Sequence, residues 1–181
     1  MSKYNESKIL EGLKEPSTRR RAFEELVNHH SRTLYWQIRH IVVDHNDTDD
    51  VLQNTFLKAW NNIEYFNGNS KISTWLYRIA YNESVLFLKQ KEETLSIESE
   101  EGSVANQLES DEYFDGDEIQ ILFQQAIETL PKKQRAVFTM KYFDEMKYEE
   151  ISEITGTSIG ALKASYHHAV DKITNFFHSR E

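Results

Sequence analysis

Lys147-Tyr148-Glu149-Glu150-Ile151-Ser152-Glu153-Ile154-Thr155-Gly156-Thr157-Ser158-Ile159-Gly160-Ala161-Leu162-Lys163-Ala164 is the stretch whose pattern says most about the fold. Its apolar spacing predicts a short amphipathic helix from about Lys147 to Thr155. Gly156 supplies a turn, Thr157 or Ser158 a cap, and a longer helix follows to about Phe177. That order is the grammar of a helix-turn-helix. On a wheel of about 100° per residue, Leu162, Tyr166, Ala169, Val170, Ile173 and Phe176 fill one arc. The opposite side presents Gly160, Ala161, Lys163, Ala164, His167 and His168. Small residues in the first turns let a helix approach base edges, while the lysine and the histidines can reach phosphates or bases. A helical hairpin with a solvated face is the competing reading of the same local pattern.

Moving outward, composition narrows the class. The chain has 181 residues at 21.4 kDa, 39% hydrophobic and 12% aromatic, enough to build the core of one ordinary domain or two small ones. Six glycines and two prolines leave few breaks for hairpins, so an all-α fold is expected. The lack of cysteine excludes disulfide scaffolds, thiol nucleophiles and cysteine-ligated zinc. No basic-then-apolar signal segment opens the chain, and no run approaches about 18 apolar residues. A cytoplasmic protein without membrane insertion is expected.

The net charge of −9 argues against nucleic acid only until it is divided along the chain. Residues 1–91 carry 13 basic and 11 acidic side chains, residues 92–118 none and 11, and residues 119–181 carry 8 and 8. All the excess acid sits in one segment, whose Glu-, Ser- and Asp-rich composition cannot bury enough surface to offset the entropy of ordering. Residues 92–116 are therefore expected to form a flexible acidic linker. It joins two small helical domains, 1–91 and 117–181, the second of which ends in the helix-turn-helix.

In the first domain, Phe23, Leu26, Val27, Leu34 and Ile38 recur at near-helical spacing from about Ser17 to His40, with Ser17 or Thr18 as cap. Asp47, Thr48, Asp49 and Asp50 place caps and acids at the start of the next helix, which buries Val51, Thr55, Phe56 and Ala59 and ends near Asn62. A loop from Ile63 to Ser73 leads into a third helix to about Lys91, with Trp75, Leu76, Ile79 and Leu86 inward. In the second domain Ile119, Leu122, Phe123, Ala126 and Ile127 form one helix, and Pro131 opens another that ends near Tyr142.

Read together, the two halves resemble one family. Asp50-Val-Leu-Gln53-Asn-Thr-Phe56, Trp60, and Phe66-Asn-Gly68-Asn-Ser70-Lys-Ile-Ser73-Thr74-Trp75-Leu76-Tyr77-Arg78-Ile79-Ala80-Tyr-Asn82 are similar to region 2 of the extracytoplasmic-function (ECF) sigma factors of the sigma-70 family. Leu130-Pro131, Gln134-Arg135, and Tyr148-Glu149-Glu150-Ile151-Ser152 leading through Gly156, Ser158, Ile159 and Gly160 to Lys163 stand in the order of their region 4. The resemblance runs from about Phe23 to Phe177. It implies a factor that binds core RNA polymerase and directs promoter-specific transcription initiation, with promoter DNA and an anti-sigma factor as further partners, no cofactor and no enzymatic activity.

The resemblance also implies sites. Asp50, Gln53, Leu57 and Trp60 fall on one stripe beside the buried arc, where aromatic anchors and polar pairs suit protein docking; in the family this surface meets the clamp helices of polymerase. The loop Ile63–Ser73 is richer in asparagine and serine than a turn requires. In the family it captures a base flipped from the minus-ten element, and Asn67, Asn69, Ser70 and Trp75 carry groups suited to such a pocket. Arg78, Asn82 and Lys89 share a stripe that can follow phosphates. Ser158, Gly160, Ala161, Lys163, Ala164 and His167 would meet the minus-thirty-five element. Trp75 reads equally well as a core tryptophan, and Asp50 taken alone as an acid at a helix start.

Catalysis finds little support. His29-His30 and His167-His168 are adjacent and so project about 100° apart instead of converging on a metal, and neither a phosphate-cradling glycine loop nor a nucleophile elbow is present. A stand-alone helix-turn-helix regulator and a protein-interaction adaptor are the alternatives from other classes. The first would bind duplex DNA specifically without polymerase, and the second would need no DNA. One departure from the family is the near-neutral run from Tyr166 to Lys172, which predicts weak DNA affinity for the isolated chain.

Overall fold

The computed structural model describes residues 4–98 and 118–180, and every regular element among them is helical. In chain order these are α1 (Glu6–Lys14), α2 (Arg19–Val42), α3 (His45–Asn62), a single 3-10 turn (Ile63–Tyr65), α4 (Ile72–Glu98), α5 (Glu118–Glu128), α6 (Lys132–Tyr142), α7 (Tyr148–Thr155) and α8 (Ile159–His178). The all-α expectation holds, and so does the helix-turn-helix of α7 and α8. α4 stays helical through Glu98, seven residues into the expected linker, and the remainder of residues 92–116 lies outside the described residues.

Local chemistry sets the boundaries. α2 begins at Arg19, and the Thr18 hydroxyl donates back to the Gly12 carbonyl (2.9 Å) instead of capping it. α3 begins two residues before Asp47, because the Asp44 carboxylate accepts from the Asp47 N–H at 2.9 Å. Pro131 lies just outside α6 at the N-cap. α7 closes on Gly156 at φ 68°, whose N–H donates to the Ser152 carbonyl; Ser158, not Thr157, then caps α8 by accepting from the Ala161 N–H. α1 has no counterpart in the helices expected from periodicity. Asn5 caps it, Ile9 and Leu13 are buried, and Gly12 lets it lie close to α2, since a Cβ there would stand 2.9 Å from that of Ala22.

The first half packs one continuous core, in which Leu26, Leu34, Ile38, Val51, Ala59, Ile72, Leu76 and Ala80 are buried. The second half divides its core. Ala126, Ile127, Leu130, Phe138, Ala169 and Ile173 form one cluster, and Val137, Met140, Met146, Ile151, Ile154 and Leu162 another. Truncating any of the larger of these to alanine removes roughly 2 to 5 kcal/mol.

Two apolar residues placed inward by periodicity, Leu86 and Val170, are exposed, and so is Ile119, which the spacing assigns to a helix. Leu86 is 43% exposed because the inward stripe of α4 advances in four-residue steps, Ile72, Leu76, Ala80 and Ser84, and leaves it to one side. Val170 is 37% exposed, beside a seam that steps through Leu162, Tyr166, Ala169 and Ile173. Ile119, 67% exposed, sits in the first turn of α5, ahead of its buried positions Ala126 and Ile127.

Candidate functional site

On α3, Asp50, Gln53, Leu57 and Trp60 are all exposed, along one side of a helix whose other side buries Val51, Thr55 and Ala59. Leu57 is 55% exposed. Trp60, at 39%, leans edge-on against Phe23 of α2 with ring centroids 5.0 Å apart. That contact holds the indole in place and leaves part of it available to a partner.

The connection after α3 is shaped by its own side chains. The 3-10 turn buries Ile63, Gly68 takes φ 75°, and the Asn67 side-chain carbonyl accepts from the Asn69 N–H at 3.1 Å, a local turn that asparagine makes readily. Asn67 and Asn69 are exposed, Ser70 is half-buried, and Trp75 packs half-buried against Phe66 with centroids 5.4 Å apart. Trp75 thus serves the core with one part of its ring and remains accessible with the rest. Asn67 and Gly68 also line a cleft of about 500 Å³ with Leu10, Lys14 and Arg19, residues that the sequence reading passed over. Arg19 is held there by the Leu13 carbonyl (3.0 Å) and by Glu64. Only the capping Asn5 and the spacing of Ile9, Leu10 and Leu13 signal this helix in the sequence.

Farther along α4, Asn82 and Lys89 are exposed, and Lys89 lies 3.8 Å from Glu93. Arg78 is engaged: its guanidinium donates to the Glu153 carbonyl at the end of α7 (3.0 Å from Nε) and stands 3.7 Å from the Glu153 carboxylate. On α8, Gly160, Ala161, Lys163, Ala164 and His167 are exposed beside the capping Ser158. The Lys163 ammonium rests 5.8 Å from the centre of the Tyr148 ring, and His167 lies 3.6 Å from Asp171. The structure therefore places these residues in separate groups on α3, the following loop, α4 and α8.

Comparison with known proteins shows the family. The family descriptions "Sigma-70 region 2" and "Sigma-70, region 4" match residues 26–94 and 120–173. The ECF RNA polymerase sigma factor SigW of Bacillus subtilis is 31% identical over 156 residues, covering 81% of this chain and 83% of that protein. The chain belongs to the ECF sigma factors. An ECF RNA polymerase sigma-E factor of Haemophilus influenzae is 29% identical over 167 residues, with 86% and 87% covered. In fold, the chain is similar to the sigma factor RpoE from Bartonella quintana, solved in complex with the anti-sigma factor NepR, at a TM-score of 0.71 and 22% identity over 86% of this chain and 96% of that one. It is likewise similar to CnrH, solved with the cytosolic domain of CnrY, at 0.69 and 21% over 98% and 100%.

A sigma factor binds core RNA polymerase and directs it to promoters; it is an initiation factor and not an enzyme. That separates this sigma factor from a stand-alone operator-binding regulator. The pair His29 and His30 carries local packing roles. His29 stacks on Tyr4 (3.5 Å between centroids), while His30 pairs with the Tyr4 hydroxyl (3.0 Å) and burial lowers its pKa to about 4. Among the described residues no group of three or more histidine or carboxylate side chains is arranged to hold a metal ion, and no helix is long and apolar enough to cross a membrane.

Proposed function

We propose that this sigma factor divides initiation along its chain: residues 1–91 dock on core polymerase and hold the melted minus-ten element, residues 92–116 act as tether, and residues 117–181 read the minus-thirty-five element. The observation that carries this reading is the juxtaposition on α3 and the loop after it. An exposed stripe of mixed polar and large apolar residues, Asp50, Gln53, Leu57 and Trp60, is followed at once by an exposed loop of asparagines and serine beside a half-accessible tryptophan. The stripe has the chemistry of a protein-docking face. The loop, with Asn67, Asn69, Ser70 and Trp75, has the amide, hydroxyl and aromatic groups that hold an unstacked base, and Arg78 and Asn82 continue toward the phosphates.

On α8, Ser158, Gly160, Ala161, Lys163, Ala164 and His167 form the face offered to duplex DNA. A Cβ added at Gly160 meets nothing within 4 Å, so the first turn is open to close approach. Lys163 contacts phosphate in this reading, because lysine is a point charge without the fork that suits arginine to guanine. The similarity to RpoE, solved in complex with an anti-sigma factor, and to CnrH, solved with the cytosolic domain of CnrY, supports an anti-sigma factor as partner. A cytoplasmic location goes with this reading. In vitro transcription with purified core polymerase tests the whole scheme: promoter-specific transcripts are expected only when this chain is added, and specific duplex binding by the chain alone would instead support an operator-binding regulator.

A further inference from the structure

α1 and its junction with α2 reach the loop Ile63–Ser73 at both of its ends. At the far end the Ile72 N–H, the first of α4, donates to the Glu6 carboxylate at 3.3 Å. At the near end Glu64 of the 3-10 turn pairs with Arg19, whose Nε donates in turn to the Leu13 carbonyl in the last turn of α1 (3.0 Å). The partners lie 66 and 45 residues apart in sequence, so neither contact is a product of local chain geometry.

α1 is itself fixed. Ile9 and Leu13 belong to the core of the first half, the Thr18 hydroxyl donates to the Gly12 carbonyl (2.9 Å), and ahead of the helix Tyr4 bonds to His30 (3.0 Å) and stacks on His29. Inside the loop, the Phe66 N–H reaches the Ile63 carbonyl (3.2 Å) and the Asn69 N–H the Asn67 side chain (3.1 Å), while Asn67, Gly68 and Asn69 are exposed. Those two bonds shape turns within the loop, and the anchors at its ends come from outside it. Fixing both ends removes conformations that would otherwise be lost only when a ligand is bound, and such preorganisation adds affinity without adding a contact. The Glu6 carboxylate also lies at the positive end of the α4 macrodipole, where an acid is favoured. Between the anchors the loop stands away from α1 and leaves the cleft of about 500 Å³ bordered by Leu10, Phe66 and Asn67.

We propose that Glu6 and Arg19 are positioning residues for this loop: from the start of α1 and from its junction with α2 they hold the loop in the conformation that captures a base, without touching the base themselves. The base rests on the minus-ten reading of Asn67, Asn69, Ser70 and Trp75 above; the hold on the loop does not.

Amide hydrogen exchange of the full chain reads the hold directly, and open-complex formation by holoenzyme on promoter DNA reads its use. Glu6→Gln removes the same charge as Glu6→Ala but keeps an oxygen that can accept from the Ile72 N–H, so the difference between the two variants isolates the bond. Glu6→Ala is expected to speed exchange at Asn69 and Ile72 by about three- to tenfold, the factor set by one hydrogen bond of ordinary net strength, and Arg19→Ala to do the same at Phe66 and Asn69. Exchange in α2 and α3 should stay at the parent rate, as should binding to core polymerase, while promoter opening falls about three- to tenfold and is restored in Glu6→Gln. Loop exchange at the parent rate in both alanine variants would overturn the hold, and so would an equal rise throughout α2 and α3, which would mark a general loosening. A faster loop with undiminished promoter opening would overturn the positioning role if Asn69→Ala impairs opening. If Asn69→Ala is also without effect, it is the base-pocket reading that fails, and the hold on the loop stands.

Discussion

The exposed side of α3 and the side of α4 that meets α7 lie in the same half of the molecule, yet they are treated in opposite ways. Asp50, Gln53, Leu57 and Trp60 stand open to a partner, whereas Tyr77 and Tyr81 are packed under the second half and Arg78 is tied to Glu153. Open side chains of this kind suit a partner outside the chain, whereas the packed ones already have theirs in α6 and α7. The charged pairs between the halves, Lys71–Glu150, Arg78–Glu153 and Lys132–Glu92, are partly exposed and worth about 0.2 to 1 kcal/mol each, so the apolar packing of Tyr77 and Tyr81 is the larger part of the contact.

The largest effect expected from this contrast is on the open face. Asp50→Ala combined with Gln53→Ala should weaken binding to core polymerase by about 2 to 4 kcal/mol, the range of interface hot spots, while thermal stability stays unchanged because both side chains are exposed. A quantitative pull-down with purified core enzyme checks this; undiminished binding would remove α3 from the docking face. Trp60→Ala is a poorer probe, since it also removes the edge-on contact with Phe23.

Next in size is the loop. Asn69→Ala should impair promoter opening more than polymerase binding, by about 1 to 3 kcal/mol, because a flipped base is held only once melting has begun. Open-complex formation followed by permanganate footprinting, beside the same pull-down, separates the two steps, and equal losses in both would refute a base pocket here. Asn67→Ala should do more damage, since its side chain also shapes the turn through the Asn69 N–H.

How much of this contrast could be read in the sequence depends on distance along the chain. The stripe on α3, the loop and the helix-turn-helix are local patterns set by capping and period, and each lies where the residues place it. The exposure of Leu86 and Val170 lies beyond a helical wheel, which identifies an apolar arc but not how far a neighbouring helix reaches across it. α1 lacks the glycine turn and the capped helix after it that mark out the equally short α7. The covering of Arg78 was not legible at all, for Glu153 lies 75 residues away and nothing in either local pattern connects them.

A smaller effect belongs to Lys163, whose ammonium sits 5.8 Å from the Tyr148 ring and reaches solvent from the open side of α8. In a phosphate role, Lys163→Ala should weaken all promoters alike and reduce the salt slope of binding by about one unit; a guanine-reading role would instead erase about 1 to 3 kcal/mol of discrimination at one position. Selection over randomised upstream elements, with wild type and variant holoenzymes, distinguishes them. No change in strength or preference would take Lys163 out of the DNA interface.

The smallest effect tests the covered face through a proton. Asp144, between α6 and α7, has a carboxylate oxygen sealed from solvent without a hydrogen-bond partner, and burial raises its pKa from 3.8 to about 7. It lies near enough to Tyr77 of α4 that burial first, and then the charges of Asp144 and Glu150, raise that phenol to about 12. A carboxyl whose pKa is raised in the folded chain stabilises the fold only while protonated: the contribution is complete below the unfolded value of 3.8 and is lost as pH rises through about 7. Thermal stability should therefore fall from pH 5 to pH 8 by this contribution. Asp144→Asn, which keeps the shape and removes the titration, should flatten that fall and leave the variant the more stable chain at pH 8. His40, lowered to about 4 by burial and by Arg39, and the other charged groups near Tyr77 are the same in parent and variant. Melting temperatures that fall with the same slope in parent and variant would show that the burial of Asp144 carries no such cost.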